Sequence, residues 1–172
     1  HWILIEDLVG GTYAMRRKHR RYLPQEPREE DSSYDHRLSR SVCPPYYQRL
    51  ERMLAGMLTR KPVRLNDVTD TIREQLFDVD LQGHDLNTWT YETARKMIRY
   101  GHVGILVDAP ADGGRPYWVS YTPRDILGFR HETVDGISKL SQLRLRETII
   151  KPADDSEFGE EEVEQIRVLK PG

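Results

Sequence analysis

The chain has 172 residues, 37% hydrophobic and 31% charged, a balance that supports one core, or one core with a helical arm, and excludes a disordered polyelectrolyte. No run nears the roughly 20 apolar residues that a bilayer span needs, and the single cysteine, Cys43, excludes internal disulfides and any multi-cysteine zinc site. With 26 Lys and Arg against 28 Asp and Glu the net charge is −2, so the chain as a whole is no general nucleic-acid binder.

The charge is unevenly spread. Residues 1–62 hold 12 basic against 8 acidic residues, 63–150 hold 11 against 13, and 151–172 hold 3 against 7. A basic front and an acidic tail predict head-to-tail contacts, within or between chains. Glu6 arrives too early for a signal peptide, which with the lone cysteine leads to the expectation of a soluble, intracellular protein. The start at His1 and the stop just after a strand lead to the expectation of a segment of something longer.

In chain order, residues 2–22 predict a helix with Ile5, Leu8, Val9 and Tyr13 on one stripe and the cations Arg16, Arg17, Lys18, Arg20 and Arg21 at its negative end. Gly10-Gly11 inside it requires either a bend or the close approach of a second backbone, and close packing is the preferred reading. Pro24 to Ser33 reads as an exposed loop, with Ser32 or Ser33 capping a short helix through Leu38 and Val42. A further helix runs from Tyr46 to Thr59, with Tyr47, Leu50, Leu54 and Met57 on one face and expected in the core. Val68, Ile72 and Leu76 suggest a short helix, and Asp85 or Asn87 caps the next, which carries Trp89 and ends at Gly101.

The period then becomes two residues. Val103 to Val107 reads as a strand buried on both faces, Tyr117, Val119 and Tyr121 alternate in the next, and Thr122 to Asp125 forms a brief turn before a strand through Ile126 to Arg130. Asp135-Gly136 signals a hairpin, followed by a strand with Leu143, Leu145 and Ile149 on one side and Arg144 and Arg146 on a wet, basic one. An acidic linker, Asp154 to Glu162, leads to a last strand from Val163 to Leu169. Helices first and antiparallel strands after make an α+β fold, divided into a helical arm over 1–62 and an α+β core over 63–172. Trp89, Ile105, Val107, Tyr117 and Val119 complete the expected core.

Chemistry has few anchors. Asp78 to Gly83 imitates the start of a calcium loop, but the twelfth position is Trp89 where a bidentate Glu is required. Neither a nucleophile elbow, a zinc-protease helix nor a phosphate loop occurs, so no catalytic residue, metal site or cofactor is expected. Asp108 and Asp125 at strand ends read as turn-fixing acids; with His84 they carry the alternative of a metal-dependent hydrolase or nuclease. The Arg16–Arg21 cluster is a candidate for contact with a DNA backbone, although Glu26, Glu29, Glu30 and Asp31 are placed to neutralise it. A free-standing DNA-binding module is a further alternative. Arg144 and Arg146, with Glu160, Glu161 and Glu162 and their acidic neighbours Asp154, Asp155, Glu157 and Glu164, form a complementary pair of surfaces suited to a subunit interface.

Several spaced segments together resemble one family. They are Gly11-Thr12 with Ala14-Met15-Arg16, Tyr22-Leu23-Pro24, Tyr34 with Arg37-Leu38, Leu54-Ala55-Gly56-Met57 with Lys61-Pro62, and Tyr100 through Asp108. Arg115-Pro116-Tyr117, Tyr121, Asp125-Ile126, Leu143 through Glu147 and Gln165 through Leu169 continue them. This order resembles the portal proteins, or head-to-tail connectors, of tailed bacteriophages and prophages, in the branch once classed as a domain of unknown function. The resemblance implies a structural, non-enzymatic homo-oligomer, a ring usually of twelve subunits at one vertex of the viral capsid. That ring forms the channel for packaging and ejecting double-stranded DNA, which it contacts without sequence preference. The implied partners are the large terminase and then head-completion or adaptor proteins, with no membrane. The implied location is the virion, and the host cytoplasm during assembly. The chain resembles the amino-terminal wing portion alone, without stem, clip or crown. Both parts of the division at residue 62 then belong to one wing region.

Overall fold

The computed structural model describes residues 1–110, 113–153 and 159–170. Among them are α1 (Trp2–Arg17), a 3-10 turn (His19–Arg21), α2 (Asp31–Arg40), α3 (Tyr46–Leu58), α4 (Asp70–Gln75) and α5 (Leu86–Tyr100), then β1 (Gly104–Asp108), β2 (Tyr117–Tyr121), β3 (Ile126–Val134), β4 (Ile137–Pro152) and β5 (Glu160–Leu169). The fold is α+β. β1 and β2 pair antiparallel, and β3, β4 and β5 form a second antiparallel sheet in that order. The chain divides into two compact units, 1–78 with 82–101, and 79–81 with 102–172. The division expected at residue 62 falls inside the first unit.

The first unit is helical. α1 is broken at Gly11, whose φ of 66° and ψ of −150° are non-helical. This corrects the expectation of close packing by a second backbone, because a Cβ at Gly11 would meet nothing within 4 Å and one at Gly10 would meet the Ala14 side chain of the same helix rather than another backbone. The glycine serves a bend in a region of backbone space that side-chain-bearing residues avoid. The helix also ends at Arg17 rather than at residue 22, and a 3-10 turn follows. α2 begins at Asp31, so Ser32 and Ser33 lie within it rather than capping it. Tyr34, Leu38, Ala55, Leu86, Trp89, Ala94 and Tyr100 are the buried apolar residues. Asp85 caps α5 by accepting from the Thr88 N–H, and Gly101 closes it in the left-handed conformation. Both follow from local sequence alone.

α3 corrects the expected core. Its helix is where periodicity placed it, but Leu50 (49% exposed), Leu54 and Met57 (66% exposed) face outward with Met53 and Leu58. The buried side carries Glu51 and Ala55, while Tyr47 is half-buried and its hydroxyl donates to the Arg99 carbonyl at 3.1 Å.

The second unit is built on the two sheets. Asp135 and Gly136 both have positive φ (53° and 77°) and form the two-residue turn between Val134 and Ile137, the geometry that matches strand twist. β1 is exposed on alternate residues, with Ile105 at 54% and Val107 at 61%, which corrects the reading of a strand covered on both faces and removes both residues from the expected core. Tyr117 and Val119 are half-buried, and Tyr121, Leu145 and Val79 are the buried apolar residues. The last strand starts at Glu160, three residues before its expected start. Its acids Glu160, Glu161 and Glu162 pair in register with Pro152, Lys151 and Ile150, so they belong to the strand and not to a linker.

Candidate functional site

The densest polar arrangement in the second unit joins β1 and β2 to β4 and β5. Alternation along a strand puts Leu145, Glu147 and Ile149 of β4 on one face with Arg167 of β5. On that face Arg167 donates through Nη2 to Asp108 Oδ1 at 2.8 Å and through Nη1 to Asp108 Oδ2. Arg167 Nη1 also reaches Glu147 Oε1 at 3.5 Å. The Tyr117 hydroxyl donates to Asp108 Oδ2 at 3.0 Å, the Tyr121 hydroxyl to Glu147 Oε1 at 2.5 Å, and Gln165 Nε2 to Glu147 Oε2 at 3.0 Å. The Arg167 guanidinium and the Tyr117 hydroxyl hold the Asp108 carboxyl down at about 2. Burial and the neighbouring Glu147 push the Tyr121 phenol well above its ordinary value.

Tyr117, Tyr121, Glu147 and Arg167, with Asp125, Arg146 and Ile149, line an open cleft of about 380 Å³. Every charge there has an opposite charge in reach, which suits a fastener between sheets rather than a site with an unshared acid or base. Asp125 fixes its turn as expected: its Oδ2 accepts from the Thr122 hydroxyl at 2.5 Å, and its N–H donates to the Thr122 carbonyl at 2.9 Å. Among the described residues no three His, Cys, Asp or Glu side chains gather as a metal site would require.

The first unit has its own fastener, with no counterpart in the sequence reading. Glu51, 1% exposed, accepts from Arg95 Nε at 2.9 Å, from Arg99 Nε at 2.8 Å and from Arg99 Nη2 at 2.9 Å. Arg95 also donates to Glu92. Two guanidinium groups on α5 thus hold one buried carboxylate on α3. The available signal was an acid on a helix face that Tyr47 and Ala55 share with it at four-residue spacing.

The basic cluster is largely engaged. Arg16 donates to the Ser41 carbonyl through Nε (2.9 Å) and Nη2 (2.5 Å). Lys18 lies 4.0 Å from Asp7, and Arg20 binds Gln25 and Asp31 at 2.8 and 3.0 Å, which fulfils part of the expected neutralisation. Arg17 and Arg21 sit over the rings of Tyr13 and Tyr22, at 5.6 and 5.5 Å. Both residues are exposed.

Arg146 turns inward to the turn before β3, donating to the Arg124 carbonyl at 2.9 Å and reaching Asp125 Oδ1 at 3.5 Å. Arg144 lies against Gly128, its Nε buried and unpartnered among the described residues. Glu160, Glu161, Glu162 and Glu164 are exposed on β5; Asp154, Asp155 and Glu157 lie outside the described residues. No helix among the described residues is long and apolar enough to cross a membrane. A scan against protein-family models finds no match, and a search of curated proteins finds no significant one.

Proposed function

We propose that the chain is a wing segment of a bacteriophage portal subunit, a structural part of the ring at the capsid vertex through which double-stranded DNA is packaged and ejected. The observation that carries this reading is the apolar surface each unit leaves uncovered. In the first unit it is the outward stripe of α3; in the second it is Ile105 and Val107 on β1 and, on the other sheet, Ile150, Ile166 and Val168 of β4 and β5. Exposed apolar residues grouped along one face of an element mark interaction sites. Two fully paired ionic fasteners support a load-carrying scaffold rather than a turnover site. The ordered segments from Gly11 to Leu169 supply the choice of family.

In this reading the subunit contributes shape and surface while hydrolysis belongs to the terminase, and adaptor proteins later take its place. Arg17 and Arg21 provide non-specific attraction to a DNA backbone, weak enough to permit sliding. Mass photometry and negative-stain imaging of the full-length subunit to which this segment belongs test the reading. A closed ring is the expected result, and a chain that stays monomeric at every concentration would overturn it.

A further inference from the structure

Two exposed surfaces of this chain set apolar residues beside charges of opposite sign, basic on α3 and acidic on β5. On α3, Leu50, Met53, Leu54 and Met57 recur at helical spacing, forming an outward stripe about 10 Å long at 1.5 Å per residue. Arg49 and Arg52 border it, Arg60 and Lys61 follow the helix, and all four are exposed with no ion pair among the described residues. The second surface is the outer face of the β4–β5 pair. The register places Ile150 opposite Glu162, Thr148 opposite Glu164 and Arg146 opposite Ile166, so Glu160, Glu162, Glu164, Ile166 and Val168 share one face. Ile150, Ile166 and Val168 are exposed there, and its three acids carry no ion pair among the described residues.

We propose that the α3 stripe of one copy seats on the outer β4–β5 face of a second copy, apolar on apolar, with Arg49, Arg52, Arg60 and Lys61 facing Glu160, Glu162 and Glu164. Charge decides the occupant. Two α3 stripes meeting symmetrically would set arginine against arginine, and two β4–β5 faces meeting at their Glu160–Glu164 ends would set glutamate against glutamate, since Arg144 and Arg146 on that face are engaged at Gly128 and at the Arg124-Asp125 turn. The unlike pairing alone brings opposite charges together around an apolar centre. Such a contact uses different patches on the two copies, and repetition makes it close into a ring or run on as a filament. The inference rests on the reading of the chain as a ring subunit and names the surfaces that reading needs.

The test is cysteine cross-linking in a Cys43→Ser background, with mass photometry alongside. Under mild oxidation the chain carrying both Met53→Cys and Ile166→Cys gives a ladder of covalent oligomers. Either single variant alone gives none, and the two singles mixed give dimers only. Reversing Arg49 and Arg52 to Glu lowers mixed-dimer yield about tenfold, and Glu162→Arg with Glu164→Arg on the partner restores it. Dimers from Met53→Cys alone, or a cross-link confined within one chain, would overturn the proposal. So would a monomer that instead sediments with phosphatidylserine vesicles through Leu50 and Met53. Rings that form without the cross-link sink the contact and leave the ring reading standing. Ladders that extend without closing keep the contact and sink the ring reading.

Discussion

Arg167 and Asp108 meet end to end, both Nη atoms of one donating to both carboxylate oxygens of the other, across 59 residues of chain. The pair ties the edge strand β5 to β1, and Tyr117, opposite Asp108 in register, adds a third bond. Because the folded protein holds the Asp108 carboxyl at about 2 against an ordinary 3.8, the folded state keeps it ionised when the unfolded chain would already bind a proton. The stability from this group is complete above about pH 4 and is lost as pH falls through about 2. Urea titrations followed by tryptophan fluorescence should show the second unit weakening over that window. Asp108→Asn should flatten that part of the profile, and an unchanged acid slope would contradict the assignment.

The buried carboxylate of Glu51 gives a second prediction, since removal of the charge takes the carboxylate partner from Arg99 and leaves Arg95 with Glu92. Glu51→Ala should destabilise the first unit by about 3–5 kcal/mol, the usual cost of breaking a buried pair by one partner. Replacing Glu51, Arg95 and Arg99 together by apolar residues of similar volume should cost far less. Denaturant midpoints of the single and triple variants measure the difference. Similar losses in both would mean that packing around α3, not charge pairing, holds the helices.

Gly11 tests the bend by sign against an unbroken helix. In an unbroken helix Gly11→Ala would stabilise by about 1 kcal/mol. At the observed φ of 66° and ψ of −150° it should instead destabilise by about 1–3 kcal/mol, because that region is nearly restricted to glycine. Thermal unfolding of the single variant decides between them.

What was legible in the sequence was local chemistry. Asp85, Gly101 and Asp135-Gly136 specify caps and a turn within a few residues of themselves, and each did so in the structure. What was not legible needed a distant partner. The periodicity of Leu50, Leu54 and Met57 marks an apolar face correctly but does not say whether this chain or another covers it. The face that is buried is the one holding Glu51, whose burial depends on arginines 44 and 48 residues away. Ile105 and Val107 misled for the same reason: an apolar strand looks the same whether its cover lies within the chain or outside it. Of the candidate site, Asp125 was legible as a turn acid. Asp108 was read as a second turn acid, and its pairing with Arg167 was not legible because that partner stands on the final strand.

The basic cluster makes a quantitative prediction about DNA. Arg16, Lys18 and Arg20 are held by Ser41, Asp7 and Asp31, so within the cluster Arg17 and Arg21 are the two placed to neutralise phosphates. Each phosphate neutralised on duplex DNA contributes a slope of about −0.9 in log K against log salt. Arg17→Ala with Arg21→Ala should therefore make the slope shallower by about 2 at unchanged stability, read by fluorescence anisotropy on a duplex of arbitrary sequence. Arg16→Ala should loosen the packing of α1 against the segment after α2, lowering the unfolding midpoint with little effect on the slope. If Arg16→Ala changes the slope as much as the Arg17 and Arg21 pair does, its bonds to Ser41 yield to DNA and the cluster acts as a whole.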